Sequence, residues 1–380
     1  MDLGFLAEAY RADGPYATVF LQSRHVGEDA AQQIGLRWHA LAHQLRRDGV
    51  DQPTLRALEA AVMPQRPGPI SARGRVLVAA NGTVLLDLPL PYPAPDIPQL
   101  TGDEARWAPL PHLLPYLVHE RPRTPHLVVV ANRVGADIHL LVDGTEEITT
   151  VDGDEQPVHK VQAGGWSHRR FQQRAENTWE HNAALVASTV SKLATQHRAK
   201  LVLLAGDVRA RSAIADRLSP TVRRVTRETE TGGRALGAAE EPLRKEAARL
   251  ADATAEQEHH RVVERFLAER NNPDHAVEGL ERTAEAFRQA AVDTLLLDAA
   301  VHLDSSRPRQ DVWVGTQGRE LALTKIELEK MGVEEYAADR PDAALIRACV
   351  ATSAQLELVG NGDPTLTDGV AALLRHPLHR

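Results

Sequence analysis

Apolar residues run at strand spacing from Tyr16 to Leu21 and at helical spacing through Ile34, Trp38, Leu41 and Leu45, predicting a strand and then a helix over residues 28–47. A second helix is predicted behind Asp51, which can cap it, with Pro53 in the first turn and Leu55, Leu58 and Val62 on one face. Val76 to Ala80 and Thr83 to Leu88 flank Asn81-Gly82, a pair that tolerates the positive φ angles of a type I′ turn, so a hairpin follows. Ten of the chain's 23 prolines then fall between Pro89 and Pro125. Proline removes backbone donors and disfavours long regular elements, which places a first domain boundary near residue 125.

The apolar pattern restarts with Leu127 to Ala131 and Asp137 to Val142, and Asp143-Gly144 turns the chain into Thr145 to Val151 as a meander. A long helix is predicted from Arg169 to Lys200, with Phe171, Ala175, Trp179, Val186, Val190 and Leu193 on one side. Leu201 to Ala205 is a continuous apolar run suited to a buried strand, and Asp207 can cap the helix behind it. Helices are predicted over Glu240 to Arg270, Val277 to Gln289 and Ala343 to Ala351. Strands are predicted at Thr294 to Leu297 and Gln355 to Val359, with a short apolar element at Val370 to Arg375. The fold class is α/β in three domains: 1–125, an N-terminal α/β domain with a proline-rich end; 126–238, a mixed sheet with a long helix; and 239–380, an α/β/α sandwich.

With 380 residues, 43 % hydrophobic and 25 % charged, the chain has the composition of a soluble globular protein. It holds no run of 18 apolar residues, and Met1 to Tyr10 carries acids rather than a basic flank, so neither a membrane span nor a secretory signal is predicted and a cytoplasmic location is expected. The single cysteine, Cys349, excludes an internal disulfide and a multi-thiolate zinc site; among apolar neighbours it reads as a buried small hydrophobe. Glycine-rich phosphate loops, a nucleophile elbow and an H-E-x-x-H motif are all missing. His259-His260 point about 100° apart on a helix, and Asp152 and Asp154 straddle Gly153 as a turn would, so no metal and no cofactor are expected.

Charge changes the picture. The formal net charge is -8, yet residues 160–227 hold 13 Lys and Arg against four acids. One basic segment thus sits inside an acidic chain, a pattern that separates a polyanion-facing surface from the rest. Within it lies Gly164-Gly165-Trp166-Ser167-His168-Arg169-Arg170-Phe171, with Arg174 beyond. Two glycines ahead of a large aromatic and a cationic cluster describe a loop that can approach RNA closely, with groups for stacking and phosphate contact. The competing reading is a plain helix entry capped by Ser167 with solvated arginines.

This stretch resembles the archaeal and eukaryotic release and ribosome-rescue factors, including Pelota, and their bacterial relatives. Their middle domain carries a Gly-Gly-Gln loop ahead of a long helix beginning with arginine and phenylalanine; Gly164-Gly165 and Arg170-Phe171 fit, and Trp166 stands where the glutamine would be. Ala276 to Leu280, Ala290 to Leu297 and Gly369 to Arg375 are similar to the family's third domain, so the likeness spans about residues 126–380, while residues 1–125 and any stop-codon motif do not match. Among bacterial members the likeness is nearest to the Balon group of ribosome hibernation factors.

The resemblance implies a partner, the bacterial ribosome, occupied at the A site from the decoding centre to the peptidyl-transferase centre, with elongation factor Tu as a second partner. It implies RNA contact by Gly164, Gly165, Trp166, Ser167, His168, Arg169, Arg170, Phe171 and Arg174, and no catalytic residue, because the water-positioning glutamine is replaced. Two other readings stay open: a rescue enzyme acting on peptidyl-tRNA with His168 or Arg169 assisting, and a protein–protein adaptor without RNA contact.

Overall fold

The computed structural model describes residues 1–22, 30–63, 74–90, 102–119, 124–132, 134–142, 145–152, 167–231, 240–304, 306, 310–360 and 362–379. Two compact units divide the chain: Met1–Arg121 together with Arg261–Arg380, and Pro122–His260. The first division falls between Arg121 and Pro122. The segments 1–125 and 239–380, expected as separate domains, contribute largely to one unit and share one core.

In the first unit, strand β1 (Tyr16–Gln22) is followed by helices α1 (Ala30–Arg47) and α2 (Gln52–Val62), strands β2 (Gly74–Ala80), β3 (Thr83–Leu90) and β4 (Glu104–Ala108), and helix α3 (Leu114–His119). The strands form an antiparallel sheet in the order β3-β2-β1-β4. Asp51 caps α2 by accepting from the Thr54 amide at 2.8 Å. Asn81 and Gly82 take φ of 51° and 76°, the conformation the hairpin required. Side chains alternate along each strand, so Ala17, Val19, Leu21, Leu77 and Ala79 pack under α1 and α2 with Trp38, Leu45 and Leu58. Phe20, Val76, Val78 and Ala80 face the other way, into a core completed by the C-terminal segment.

The second unit runs β5 (His126–Ala131), β6 (Gly135–Val142), β7 (Thr145–Asp152), α4 (Ser167–Gln196), β8 (Leu201–Gly206), α5 (Val208–Arg217), α6 (Pro220–Arg224), β9 (Thr226–Glu228) and α7 (Glu240–Glu269). Its sheet has the order β7-β6-β5-β8-β9, with β5, β8 and β9 parallel. The last turns of α7 belong to the first unit.

The C-terminal segment contains β10 (Ala276–Glu278), α8 (Leu280–Arg288), β11 (Val292–Asp298), α9 (Ala299–Leu303), β12 (Val312–Val314), β13 (Leu321–Ala322), α10 (Lys325–Lys330), β14 (Ala337–Asp339), α11 (Pro341–Thr352), β15 (Gln355–Val359) and β16 (Val370–Leu374). A sheet β10-β16-β11-β15 is covered on one face by α8 and α11 and on the other by Val263 and Phe266 of α7, which is the α/β/α arrangement expected. The helix predicted over Val277 to Gln289 begins later than expected. Residues 276–278 are taken into the ladder with β16, and Gly279, at φ 88°, separates them from α8. A second small sheet, β13-β12-β14, carries Trp313, with the Lys325 ammonium 4.3 Å over its ring.

A buried ionic chain fastens the beginning of the first unit to its end. Asp339, at the close of β14, accepts from the Leu110 amide at 2.7 Å and pairs with Arg106 at 3.1 Å. Arg340 donates to Asp342 at 2.8 Å and to the His302 carbonyl at 2.7 Å, and the second Asp342 oxygen lies 3.6 Å from His112. Burial pushes Asp339 up, against the pull of its amide donors and Arg106.

Burial also pushes His302 below the ordinary histidine range, opposed by Asp342 and Asp298, and it does the same to His126. The folded state thus holds both imidazoles neutral where the unfolded chain, titrating near 6.5, binds protons. Their contribution to stability is present above that value and is lost as pH falls through the window below it. The urea midpoint is expected to drop between pH 7.5 and pH 5.5, and His302→Gln to reduce the drop; an unchanged drop in the variant removes His302 from this effect.

Candidate functional site

Residues on the second unit's long helix carry the candidate chemistry. The described side chains of α4 that meet the sheet are Ala183, Val186, Ala187, Val190 and Ala194, packed on Val129, Ile138 and Leu204. The helix ends at Gln196, just before β8 starts at Leu201, so it runs back against that strand. At about 1.5 Å per residue it is roughly 45 Å long, against about 20 Å for β8, so its first turns run past the strand.

Two local devices hold this end of the sheet. Gly206 turns β8 toward α5 at φ 101°, where an added Cβ would meet the Ala131 carbonyl oxygen at 2.0 Å, so only glycine fits. Asp207 then caps α5 by accepting from the Arg209 and Ala210 amides at 3.0 and 3.1 Å. On the opposite face, Leu243 and Ala247 of α7 cover Val128, Leu203 and Ala205.

Of the expected RNA-contacting residues, Ser167, His168, Arg169, Arg170, Phe171 and Arg174 fall in the first turns of α4. Gly164, Gly165 and Trp166 lie outside the described residues, as do Asp143-Gly144, Gly153 and Asp154. The fold sorts the cations of residues 160–227 toward two ends, a division that the charge count along the chain does not show. Arg169, Arg170, Arg174 and Arg209 sit on elements that start where β8 finishes, whereas Arg198, Lys200, Arg223, Arg224 and Arg227 lie where β8 and β9 begin. The available sequence signal is that each of the latter precedes or opens a strand.

Arg211 is different in kind. Its side chain is 5 % exposed and lies 3.6 Å from Glu228, which ties α5 to β9 and takes this cation out of the surface charge. Elsewhere, His260 pairs with Glu256 at 3.1 Å on an exposed face of α7, and Cys349 is buried in α11 with its thiol pushed up by desolvation. Among the described residues no group of three or more His, Cys, Asp or Glu could hold a metal, and no helix is long and apolar enough to cross a membrane.

Over 367 residues the chain is 27 % identical to a curated protein of Mycobacterium tuberculosis described as uncharacterized, covering 96 % of this chain and 94 % of that one. Among solved structures, archaeal Pelota in a model of ribosome-bound Pelota and ABCE1 is 12 % identical and covers 99 % of this chain and 95 % of that one, at a TM-score of 0.40. Archaeoglobus fulgidus Pelota is 13 % identical, with coverage of 100 % and 93 % and a TM-score of 0.31. The family model named bacterial archaeo-eukaryotic release factor family 2 matches residues 125–272, from just before β5 to just after α7. Over residues 125–272, about two fifths of its length, the chain is therefore similar to bacterial archaeo-eukaryotic release factor family 2.

Proposed function

We propose that the protein binds the bacterial ribosome and occupies the A site of idle or stalled particles without releasing peptide, in the manner of a hibernation factor. The observation that supports this reading is the match of residues 125–272 to the release-factor family model, within which Gly164-Gly165 and Arg170-Phe171 resemble the family's loop and helix start and Trp166 would take the place of the hydrolytic glutamine. An aromatic ring can stack on an rRNA base, and arginines can meet phosphates, but neither positions water at an ester. The basic segment supports the same reading, since counterion release from phosphates drives binding of such surfaces. Elongation factor Tu is proposed as a companion on the ribosome, and the cytoplasm as the place of action.

The test is co-sedimentation of the purified protein with bacterial ribosomes, vacant or carrying labelled peptidyl-tRNA, across a salt series. Salt-sensitive binding with the label retained is expected. Released label or cleaved tRNA that disappears in His168→Ala would move the assignment to a rescue enzyme, and no pelleting at any salt would remove the ribosome from the account.

A further inference from the structure

Where β5, β8 and β9 begin, the second unit gathers a set of exposed cations that the loop and the start of α4 do not use. The strands are in register as His126 opposite Leu201 and Val202 opposite Thr226, so the turns that lead into them lie side by side. The Lys200 amide donates to the Pro125 carbonyl at 2.8 Å and the Val202 amide to the Val225 carbonyl at 2.9 Å, which fixes residues 198–200 beside residues 223–227. Arg198, Lys200, Arg223, Arg224 and Arg227 are all exposed.

The acids near them are few and mostly engaged. Asp216 pairs with Arg223 at 3.1 Å and Glu228 with buried Arg211 at 3.6 Å. Arg227 donates to the carbonyls of Arg224 and Thr226 at 3.4 and 2.9 Å, and among the described residues no carboxylate pairs with it. Arg223 and Arg224 fall in the last turn of α6, where a helix C-terminus favours cations, which accounts for two of the five.

We propose that this cluster is a second nucleic-acid contact, a patch that binds the phosphate backbone of RNA at the end of the domain opposite the start of α4. A polyphosphate fits better than a protein: among the described residues none of the exposed large hydrophobics lies in residues 197–200 or 220–227, and protein interfaces are anchored by such side chains. Arginine forks and a lysine suffice for phosphate oxygens. With α4 roughly 45 Å long, the two basic ends would engage backbone segments separated by about that length. The inference goes beyond the A-site reading and does not need it.

The experiment uses the full-length protein and a fluorescently labelled RNA duplex of about 16 base pairs, with anisotropy followed over a salt series. The variant K200E/R224E/R227E is expected to bind at least tenfold more weakly at low salt and to flatten the log–log salt dependence by two to three. Should that variant fail to fold, K200A/R224A/R227A gives the same reading with a smaller loss. Wild-type affinity and slope in the folded variants would overturn the proposal, as would loss of binding to labelled polyglutamate with RNA binding intact. A protein that failed to pellet with ribosomes yet bound RNA through these residues would overturn the A-site reading alone.

Discussion

Asp342→Ala is expected to cost about 3–5 kcal/mol at neutral pH, because it leaves a buried guanidinium without its carboxylate. The Asp342 side chain is fully buried and that of Arg340 only 8 % exposed, so water cannot replace the lost partner. Arg340 would keep only its bond to the His302 carbonyl among those described for its side chain, and His112 would lose the oxygen 3.6 Å away. Replacing the pair together by Arg340→Met and Asp342→Leu should recover much of the loss, since apolar groups of similar volume incur no desolvation penalty. Denaturant unfolding of the two single and double variants decides the matter. With two compact units the unfolding can show two transitions, and the effect belongs to the one that reports residues 1–121 and 261–380. A loss below about 1 kcal/mol in the single variant would show that the chain of charges is not what joins the two segments.

The second large effect concerns ribosome affinity. Reversing Arg169, Arg170 and Arg174 to glutamate removes three cations from the start of α4 while leaving the packed stretch from Ala183 to Ala194 untouched. If each meets one phosphate, the salt dependence of binding loses about two to three in log–log slope, and affinity near 0.1 M salt falls by about two to three orders of magnitude. Glutamates in a first helical turn also suit the helix dipole better than arginines, so the variant should fold at least as well as the parent. Trp166→Ala is the informative companion: a stacked base is worth about 1–3 kcal/mol, and that loss carries no salt dependence. Unchanged pelleting of the triple variant would favour an adaptor that binds through another surface.

Much of the fold could be read along the chain wherever local chemistry decides structure. Asn81-Gly82, the Asp51 and Asp207 caps, the β8 run and the strand at Gln355 to Val359 all depend on neighbours in sequence, and all occur as expected. Where partners are distant, the sequence is silent. Strand β10 is three residues long, too short to show a period, and exists because β16 pairs with it. The Asp339 contacts to Arg106 and Leu110 reach across more than 200 residues, and no spacing rule finds them. The candidate site divides in the same way. The basic window is visible as composition, but its separation toward two ends follows from parallel pairing of β5, β8 and β9.

That the first unit is built from both extremities has a consequence for its birth. Phe20, Val76, Val78 and Ala80 are covered by side chains such as Phe287, Leu345 and Ile346. During synthesis those covers emerge more than 200 residues after the sheet they close over. At about 5–20 residues per second, the stretch from Arg121 to Ile346 takes on the order of 11 to 45 seconds to translate, during which an apolar sheet face waits uncovered. Unit two, with its local connections, can close in that interval, whereas the N-terminal sheet remains open to misassociation until α8 and α11 arrive. The wait lengthens as elongation slows, so the exposure of this sheet face is set by the pace of translation.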